Sequence, residues 1–224
     1  MRRQTLARTL VLLAAPLALS ACIRVSLEGL GKGEDRPTTT TYTLLESNPG
    51  VMDVVAEAAG RIVVVVPTPE VPSGFDSERI SIQFEDGRVD HYADAQWAAR
   101  LDQLLQDVFV ERARSKLPGA IVGKLGLVPA ANYRLILKVT DFGPVYKDTP
   151  DMPPRLNAGL NLTVVEVAGE GVKAQFVVKK TAPASENRLG VVTSELKGLL
   201  DSAFDEALDK AAPYITEPQN LVTR

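Results

Sequence analysis

The run of five β-branched residues Ile62-Val63-Val64-Val65-Val66 restricts the fold more than any other part of the chain. It contains no polar residue, and Pro67 follows it directly. A short apolar run without alternation is typical of a strand that is covered on both faces. We therefore expect residues 61–66 to form the central strand of a sheet.

Other segments predict further strands. Ile80, Ile82 and Phe84 alternate with polar residues, as in a half-buried strand. Asp86-Gly87 predicts a two-residue type I′ hairpin turn. A second hairpin is expected around residues 169–171. The predicted strands are residues 42–45, 61–66, 80–85, 89–92, 120–122, 133–142, 156–167 and 173–181.

Two segments have the periodicity of amphipathic helices. The first is expected to begin after Asp94 as its N-cap and to end at Pro118-Gly119. Its apolar residues recur at three- and four-residue spacing, namely Trp97, Ala98, Leu101, Leu104, Leu105, Val108, Phe109 and Ala113. The second covers about residues 191–212, and Pro213 ends it. The predicted fold class is α/β, a single-domain sandwich of a mixed β-sheet with two long amphipathic helices packed on it.

The N-terminal segment is typical of a bacterial secretion signal. Arg2, Arg3 and Arg8 give it a positive start, and residues 10–19 form an apolar run. That run is too short to span a bilayer, which takes about 20 apolar residues. We expect residues 1–21 to be removed.

Leu19-Ser20-Ala21-Cys22 resembles a lipobox, the site at which bacterial lipoproteins are acylated on the cysteine and cleaved before it. Cys22 is the only cysteine in the chain, so it has no intramolecular disulfide partner. We expect lipidation at Cys22, with Leu19, Ser20 and Ala21 recognised by the signal peptidase. The only attached group expected is this covalent lipid, and two or more acyl chains anchor a protein stably without a spanning segment.

These signals divide the chain into four parts. The expected parts are a signal peptide at 1–21, a flexible tether at 22–41, the folded domain at 42–213 and a C-terminal tail at 214–224. Glycines, Pro37 and four consecutive threonines are the basis for the tether.

The residues favour a protein without catalysis. His91 is the only histidine, which argues against a zinc site and against a Ser-His-Asp triad. Acidic residues around the predicted hairpin, Asp76, Glu78, Glu85 and Asp86, are expected to be solvated turn residues. Trp97 is expected in the core. No catalytic, metal-binding or cofactor-binding residue is predicted.

The net charge of the chain limits the classes of partner that it can bind. The formal net charge is −3, and loss of residues 1–21 would remove three arginines and no acid. An acidic domain is a poor partner for nucleic acid or for an anionic lipid surface. The membrane association that we expect comes from the lipid anchor.

The order of several short motifs resembles the ABC-type transport auxiliary lipoprotein family. After the lipobox come Tyr42-Thr43-Leu44, the strand at 61–66 with its proline-rich loop, Arg79-Ile80, His91-Tyr92, Ala95-Gln96-Trp97-Ala98, Tyr133-Arg134-Leu135 and Asp141-Phe142. The resemblance covers about residues 40–212. Gly74-Phe75-Asp76-Ser77 departs from the leucine-bearing loop expected there.

This resemblance implies a non-catalytic docking subunit in the bacterial envelope. Its expected partners are an MCE-domain protein and, through that protein, an ABC permease and ATPase that move lipids or other hydrophobic molecules. Ile23 is not the aspartate that typically retains lipoproteins in the inner membrane, so the periplasmic face of the outer membrane is favoured. Contacts are expected at the loops Pro67 to Gly74 and Asp148 to Pro154.

Two other functions stay open at this point. One is an envelope-assembly scaffold of the TolB-like or outer-membrane biogenesis type, and the other is a lipid-anchored periplasmic enzyme. Homo-oligomerisation also stays open.

Overall fold

The structure is a computed structural model that describes residues 39–45, 61–128, 130–169 and 171–216. These residues belong to one compact unit. The predicted lipidation residue Cys22 and the recognition residues Leu19, Ser20 and Ala21 lie outside the described residues, as does most of the predicted tether.

The described residues form eight strands, two α-helices and a short 3₁₀-helix. In chain order they are β1 (Thr40–Tyr42), β2 (Ile62–Val66), β3 (Arg79–Phe84), β4 (Val89–Trp97), α1 (Leu101–Lys116), β5 (Ala120–Lys124), β6 (Tyr133–Tyr146), β7 (Arg155–Glu166), β8 (Gly171–Pro183), α2 (Leu189–Ala211) and a 3₁₀ turn at Ala212–Tyr214. The predicted α/β fold, a mixed sheet with two long helices, is confirmed.

Strand β6 connects the parts of the sheet. One edge of β6 pairs with β7 in antiparallel fashion, and β7 pairs with β8. The other edge pairs in parallel fashion first with β2 and then with β3. Between these two strands Glu70 makes an isolated bridge to Lys138. Beyond β2 lies β5, and beyond β3 lie β4 and β1.

Strand β2 is buried at four of its five residues, as its sequence predicts. Val64 and Val66 join the core that includes residues of both helices, whereas Val65 lies opposite Gly123 of β5. A Cβ at Gly123 would collide with Val128 of the β5–β6 connection. Val128 therefore packs against β5 on the face away from the helices.

The two helices cover the other face of the sheet. They meet each other through an edge-to-face contact between Phe109 of α1 and Phe204 of α2, whose ring centroids are 5.0 Å apart. Both rings are fully buried. Gln106 of α1 is also buried, and its Nε2 donates to Val66 O at 3.0 Å. The Gln106 amide thus satisfies the carbonyl at the end of β2. The apolar pattern of the helix did not predict a buried glutamine at this position.

The predicted start of the first helix is wrong. Asp94 does not cap a helix, because β4 continues to Trp97 and α1 begins at Leu101. Ala95 and Trp97 pair with Thr40 and Tyr42 of β1. Strand pairing with residues far away in sequence therefore prevails over the local helical periodicity of residues 95–98.

The first hairpin turn also differs from the prediction. Gly87 N–H donates to Phe84 O, and Phe84 N–H donates to Arg88 O, each at 2.9 Å. Three residues, Glu85 to Gly87, therefore form the turn, and Gly87 has φ of 89°. This is a three-residue loop ending in a left-handed glycine rather than a two-residue type I′ turn.

Strand β6 is longer than predicted. Gly143 and Pro144 lie beyond the predicted strand 133–142, yet they pair with Asn157 and Leu156 of β7. A register shift between Val139 and Asp141 precedes them. Proline is tolerated in a strand where its missing N–H is not needed, and the extension brings Tyr146 to the far end of the sheet.

A membrane-spanning helix is not found in the ranges that the structure describes, since neither α1 nor α2 has a sufficiently long apolar stretch.

Candidate docking surface

Three connections meet at one end of the sheet. They are the β3–β4 turn (residues 85–88), the β6–β7 loop (residues 148–154) and the segment before α2 (residues 185–188); together we call them the hairpin-end surface. The Arg88 guanidinium donates to Asp148 O at 3.2 Å, and Arg155 pairs with Glu85 at 3.2 Å. The Asn187 side chain donates to Pro150 O. The three connections are therefore bonded to one another.

A chain of hydrogen bonds lies beneath this surface. The hydroxyl oxygens of Tyr92 in β4 and Tyr146 in β6 are 2.6 Å apart, and the Tyr146 hydroxyl donates to Asn187 Oδ1 at 2.8 Å. Burial raises the pKa of Tyr92 and also that of Tyr146. Both phenols consequently stay protonated at physiological pH, so the chain can hold the segment before α2 against the sheet.

Apolar packing supports the same end. Ile82, Phe84 and Tyr146 form a small buried cluster separate from the main core. The Arg88 guanidinium lies 4.3 Å from the centre of the Phe84 ring, within the range of a cation–π contact. Arg88 also pairs with Asp86 at 2.7 Å, and this hydrogen bond lowers the pKa of the Asp86 carboxyl. Arg88 therefore links the β3–β4 turn both to the Phe84 ring at the end of β3 and to the β6–β7 loop.

The outward side of the surface is open to a partner. Residues 148–153 are exposed, and Met152 exposes 71% of its surface. Methionine is enriched at protein interfaces relative to the rest of the surface. The hairpin-end surface can therefore bind a protein partner through loops that are already ordered.

The second predicted contact loop, Pro67 to Gly74, has a different environment. Glu70 N–H donates to Leu137 O at 3.0 Å, and Val139 N–H donates to Glu70 O at 2.8 Å. The Lys138 ammonium donates to the Glu70 carboxylate at 2.5 Å. The backbone of this loop at Glu70 is therefore hydrogen-bonded to β6 and extends the sheet between β2 and β3.

The other residues considered from the sequence are dispersed. His91 lies in β4 opposite Ser81, and burial lowers its pKa. Asp76 pairs with Arg100 at 2.5 Å rather than with another carboxylate. Trp97 is in the core, as predicted, with 2% of its surface exposed, although it lies in a strand. In the part of the chain that the structure describes, no group of His, Cys, Asp and Glu has the arrangement of a metal site.

The residues that order the hairpin-end surface were missed in the sequence. Tyr146 lies beyond the predicted strand 133–142, after Gly143-Pro144. Asn187 and Arg88 have no motif around them. The available signal was the cluster of turn-forming residues at 148–154, which located the exposed loop but not its supports.

Comparison with known proteins agrees with this fold. The family model of the ABC-type transport auxiliary lipoprotein component matches residues 42–202. Because that match covers most of the chain, the protein belongs to this family. The resemblance expected from the order of the motifs is confirmed.

Two crystal structures share the fold. A protein from Xanthomonas campestris has 21% sequence identity and a TM-score of 0.58, and the match covers 77% of this chain and 90% of that chain. An uncharacterized protein has 17% identity and a TM-score of 0.60, covering 80% of this chain and 99% of that one. The comparison with curated proteins gives no match.

Family membership makes the chain a lipoprotein component that assists an ABC-type transport system of the cell envelope. An auxiliary component works with partner subunits, and the description of the family names no reaction of its own.

Proposed function

We propose that this protein is a membrane-anchored periplasmic lipoprotein that serves as a non-catalytic docking subunit of an MCE-type ABC transport system. The system would move lipids or other hydrophobic molecules across the envelope. Membership of the transport auxiliary lipoprotein family is the observation that supports the proposal most directly. The partner would be an MCE-domain protein, connected to a permease and an ATPase.

The membrane attachment is proposed to be a lipid on Cys22. The sole cysteine follows Leu19, Ser20 and Ala21, and Ile23 after it favours the periplasmic face of the outer membrane. Cys22→Ala should abolish incorporation of labelled palmitate and leave an unprocessed or mislocalised precursor. Normal processing and normal membrane fractionation of that variant would contradict the anchor.

The hairpin-end surface is the proposed contact with the MCE-domain protein. Binding costs less free energy when the loops are already ordered, because less conformational entropy is lost. The bonds from Arg88 to Asp148 and from Asn187 to Pro150 order the β6–β7 loop in this way. Met152 at the exposed part of the loop supplies apolar contact area.

A pair of matched variants tests this contact. Met152→Glu puts a charge on the hairpin-end surface, and Leu127→Glu puts one on the β5–β6 connection, where Leu127 exposes 78% of its surface. Crosslinking in cells should recover an MCE-domain protein with the unchanged chain and with Leu127→Glu. Recovery should fall about tenfold or more with Met152→Glu, as for loss of a central interface residue.

The same experiments include the results that would overturn the proposal. Recovery of unrelated proteins only would exclude the MCE partner, and equal recovery with both variants would exclude the hairpin-end surface. A robust hydrolytic activity in the purified protein would contradict the non-catalytic role. Deletion of the gene is expected to sensitise the envelope as loss of the MCE-domain protein does.

A further inference from the structure

Strand β8 has one edge without a partner strand. Along its inner edge β8 pairs with β7 from Gly171 to Pro183, and within the described residues no strand pairs with its outer edge. Strands at the edge of a sheet are usually short, bulged or covered, because their free N–H and C=O groups can pair with another chain. At 13 residues, β8 is longer than most strands.

Most of this edge is regular. The only register shift between β7 and β8 lies at Val164/Val165, opposite Ala174 and Val172. From Ala174 onward, β8 stays in register with β7 as far as Pro183. Pro183 lacks an N–H group and so limits pairing at that end. Residues 174–182 therefore offer about 30 Å of regular strand at 3.4 Å per residue.

The positive charge of β8 favours an acidic partner strand over a second copy of β8. The strand contains Lys173, Lys179 and Lys180 and no acidic residue. Lys173 pairs with Glu166 and Lys180 with Glu206. Lys179 is exposed and has no ion pair within the described residues. A second copy of β8 would bring three more lysines to the same edge, whereas an acidic strand would supply a counter-ion for Lys179.

The two faces beside the edge also differ. On the helix side, Phe176 contacts Tyr214, with ring centroids 5.7 Å apart, and Tyr214 is 44% exposed. On the opposite side, Lys179 lies two residues from Val177, which is 60% exposed. Successive side chains of an added strand point to opposite faces of the sheet. Lys180 on the helix side is already paired with Glu206 of α2. Apolar side chains therefore suit the surroundings of Phe176 and Tyr214, and an acidic side chain suits Lys179.

We infer that the outer edge of β8 binds an extended segment of a partner protein in which apolar and acidic residues alternate. The segment would add a ninth strand to the sheet through main-chain hydrogen bonds, and Lys179 would pair with one of its carboxylates. This edge ends beside the hairpin-end surface, since Ala184 N–H donates to Pro154 O at 2.8 Å, and its partner need not be the transport partner.

Two synthetic peptides test the inference with the full-length protein in detergent. One is a nine-residue peptide of alternating valine and glutamate, and the other alternates valine and lysine. Fluorescence anisotropy should show saturable binding of the glutamate peptide only. Hydrogen exchange should slow at the alternate amides of residues 174–182 that point away from β7, and it should remain unchanged in β5, whose outer edge is also at the end of the sheet.

Charge reversal provides the control. Lys179→Glu should weaken binding of the glutamate peptide about fivefold or more, because opposite charges across strands attract and like charges repel. Lys147→Glu makes the same change at an exposed residue outside β8 and should leave binding unchanged. Circular dichroism should show both variants folded.

Three results would overturn the inference. The first is the absence of saturable binding of the glutamate peptide. The second is equal weakening by Lys179→Glu and Lys147→Glu. The third is a disulfide crosslink between two Val177→Cys chains, since a second copy would then occupy the edge of β8.

Discussion

Among single residues, Tyr146 has the largest part in ordering the hairpin-end surface. Its ring belongs to the small cluster with Ile82 and Phe84, and its hydroxyl contacts both the Tyr92 hydroxyl and Asn187 Oδ1. The residue is almost fully buried. A buried hydroxyl with two partners contributes more than an exposed one, because its removal leaves those partners without a hydrogen bond.

Tyr146→Phe should lower the free energy of unfolding by about 1–2 kcal/mol, because the ring still packs while two hydrogen bonds are lost. Urea denaturation measures the change. Tyr214→Phe removes a hydroxyl from a half-exposed ring and should change stability by less than about 0.5 kcal/mol. Equal effects of the two variants would show that the hydrogen-bond chain is not stabilising.

Trp97 is a single core side chain with a large expected contribution to the stability of the fold. Its ring packs against Phe142, with centroids 6.3 Å apart, between β4 and β6. Trp97→Ala should cost about 3–5 kcal/mol of stability, since it leaves a cavity in the core. Chemical denaturation followed by circular dichroism measures it. A loss below about 1 kcal/mol, with partner binding lost instead, would mean that Trp97 acts mainly in binding.

Ion pairs connect the elements that cover one face of the sheet. Arg112 of α1 makes two hydrogen bonds to Asp205 of α2, and Lys116 pairs with Asp209 at 2.9 Å one turn further along. Glu206 of α2 pairs with Lys180 of β8 and with Lys210 of its own helix. The helix–helix pairs follow the four-residue spacing of both helices, which indicates a fixed register between α1 and α2.

The Glu206 pairs predict a dependence of stability on pH. Hydrogen bonds from Lys180 and then Lys210 lower the pKa of Glu206 from 4.5 to about 2. A lowered pKa in the folded state stabilises the fold above pH 4.5, and this contribution is lost as the pH falls toward 2. Glu206→Gln should therefore be less stable than the unchanged protein at pH 6, with the difference disappearing by about pH 2.

Thermal unfolding at a series of pH values measures this difference. The pairs are solvent-exposed, so the difference at pH 6 should also shrink in 0.5 M salt. A difference that is independent of both pH and salt would mean that Glu206 stabilises α2 by something other than its charge.

For the whole molecule, one continuous core supports the domain. The main core cluster takes residues from both helices and from all the strands that face them, including Leu44, Phe109, Leu162 and Phe204. Apolar burial contributes about 25 cal/mol per Å², so a core of this extent can stabilise a domain without a disulfide. The predicted folding unit is residues 42–213, and Ile215 of the predicted tail also belongs to this core.

A shortened protein that begins near residue 41 should be soluble and unfold in one cooperative transition. The buried residues of the main core all lie between Leu44 and Ile215 in the sequence, so removal of the earlier residues leaves the core intact. Calorimetry and a chelator series measure this, and a chelator should not change the transition temperature. Two separate transitions, or a shift caused by chelation, would contradict a single metal-independent domain.

Local patterns predicted much of the fold but less of the docking surface. The β-branched run, the long strands of the second hairpin and most of both helices were predictable, because burial on one or two faces imposes a repeat on neighbouring residues. The exposed loop at 148–154 was predictable from its turn-forming residues. Its hydrogen-bonded supports, Tyr92, Tyr146 and Asn187, come from three separate parts of the chain.

The remaining features depend on contacts between residues far apart in sequence. Residues 95–97 lie at the start of the predicted helix but belong to β4, because β1 and β3 supply backbone partners for them. Gly143 and Pro144 continue β6 because β7 pairs alongside. The position of β6 between β2, β3 and β7 is likewise a matter of pairing. Backbone hydrogen-bonding groups are chemically the same for every residue except proline, so the choice of partner strand becomes visible only in the assembled sheet.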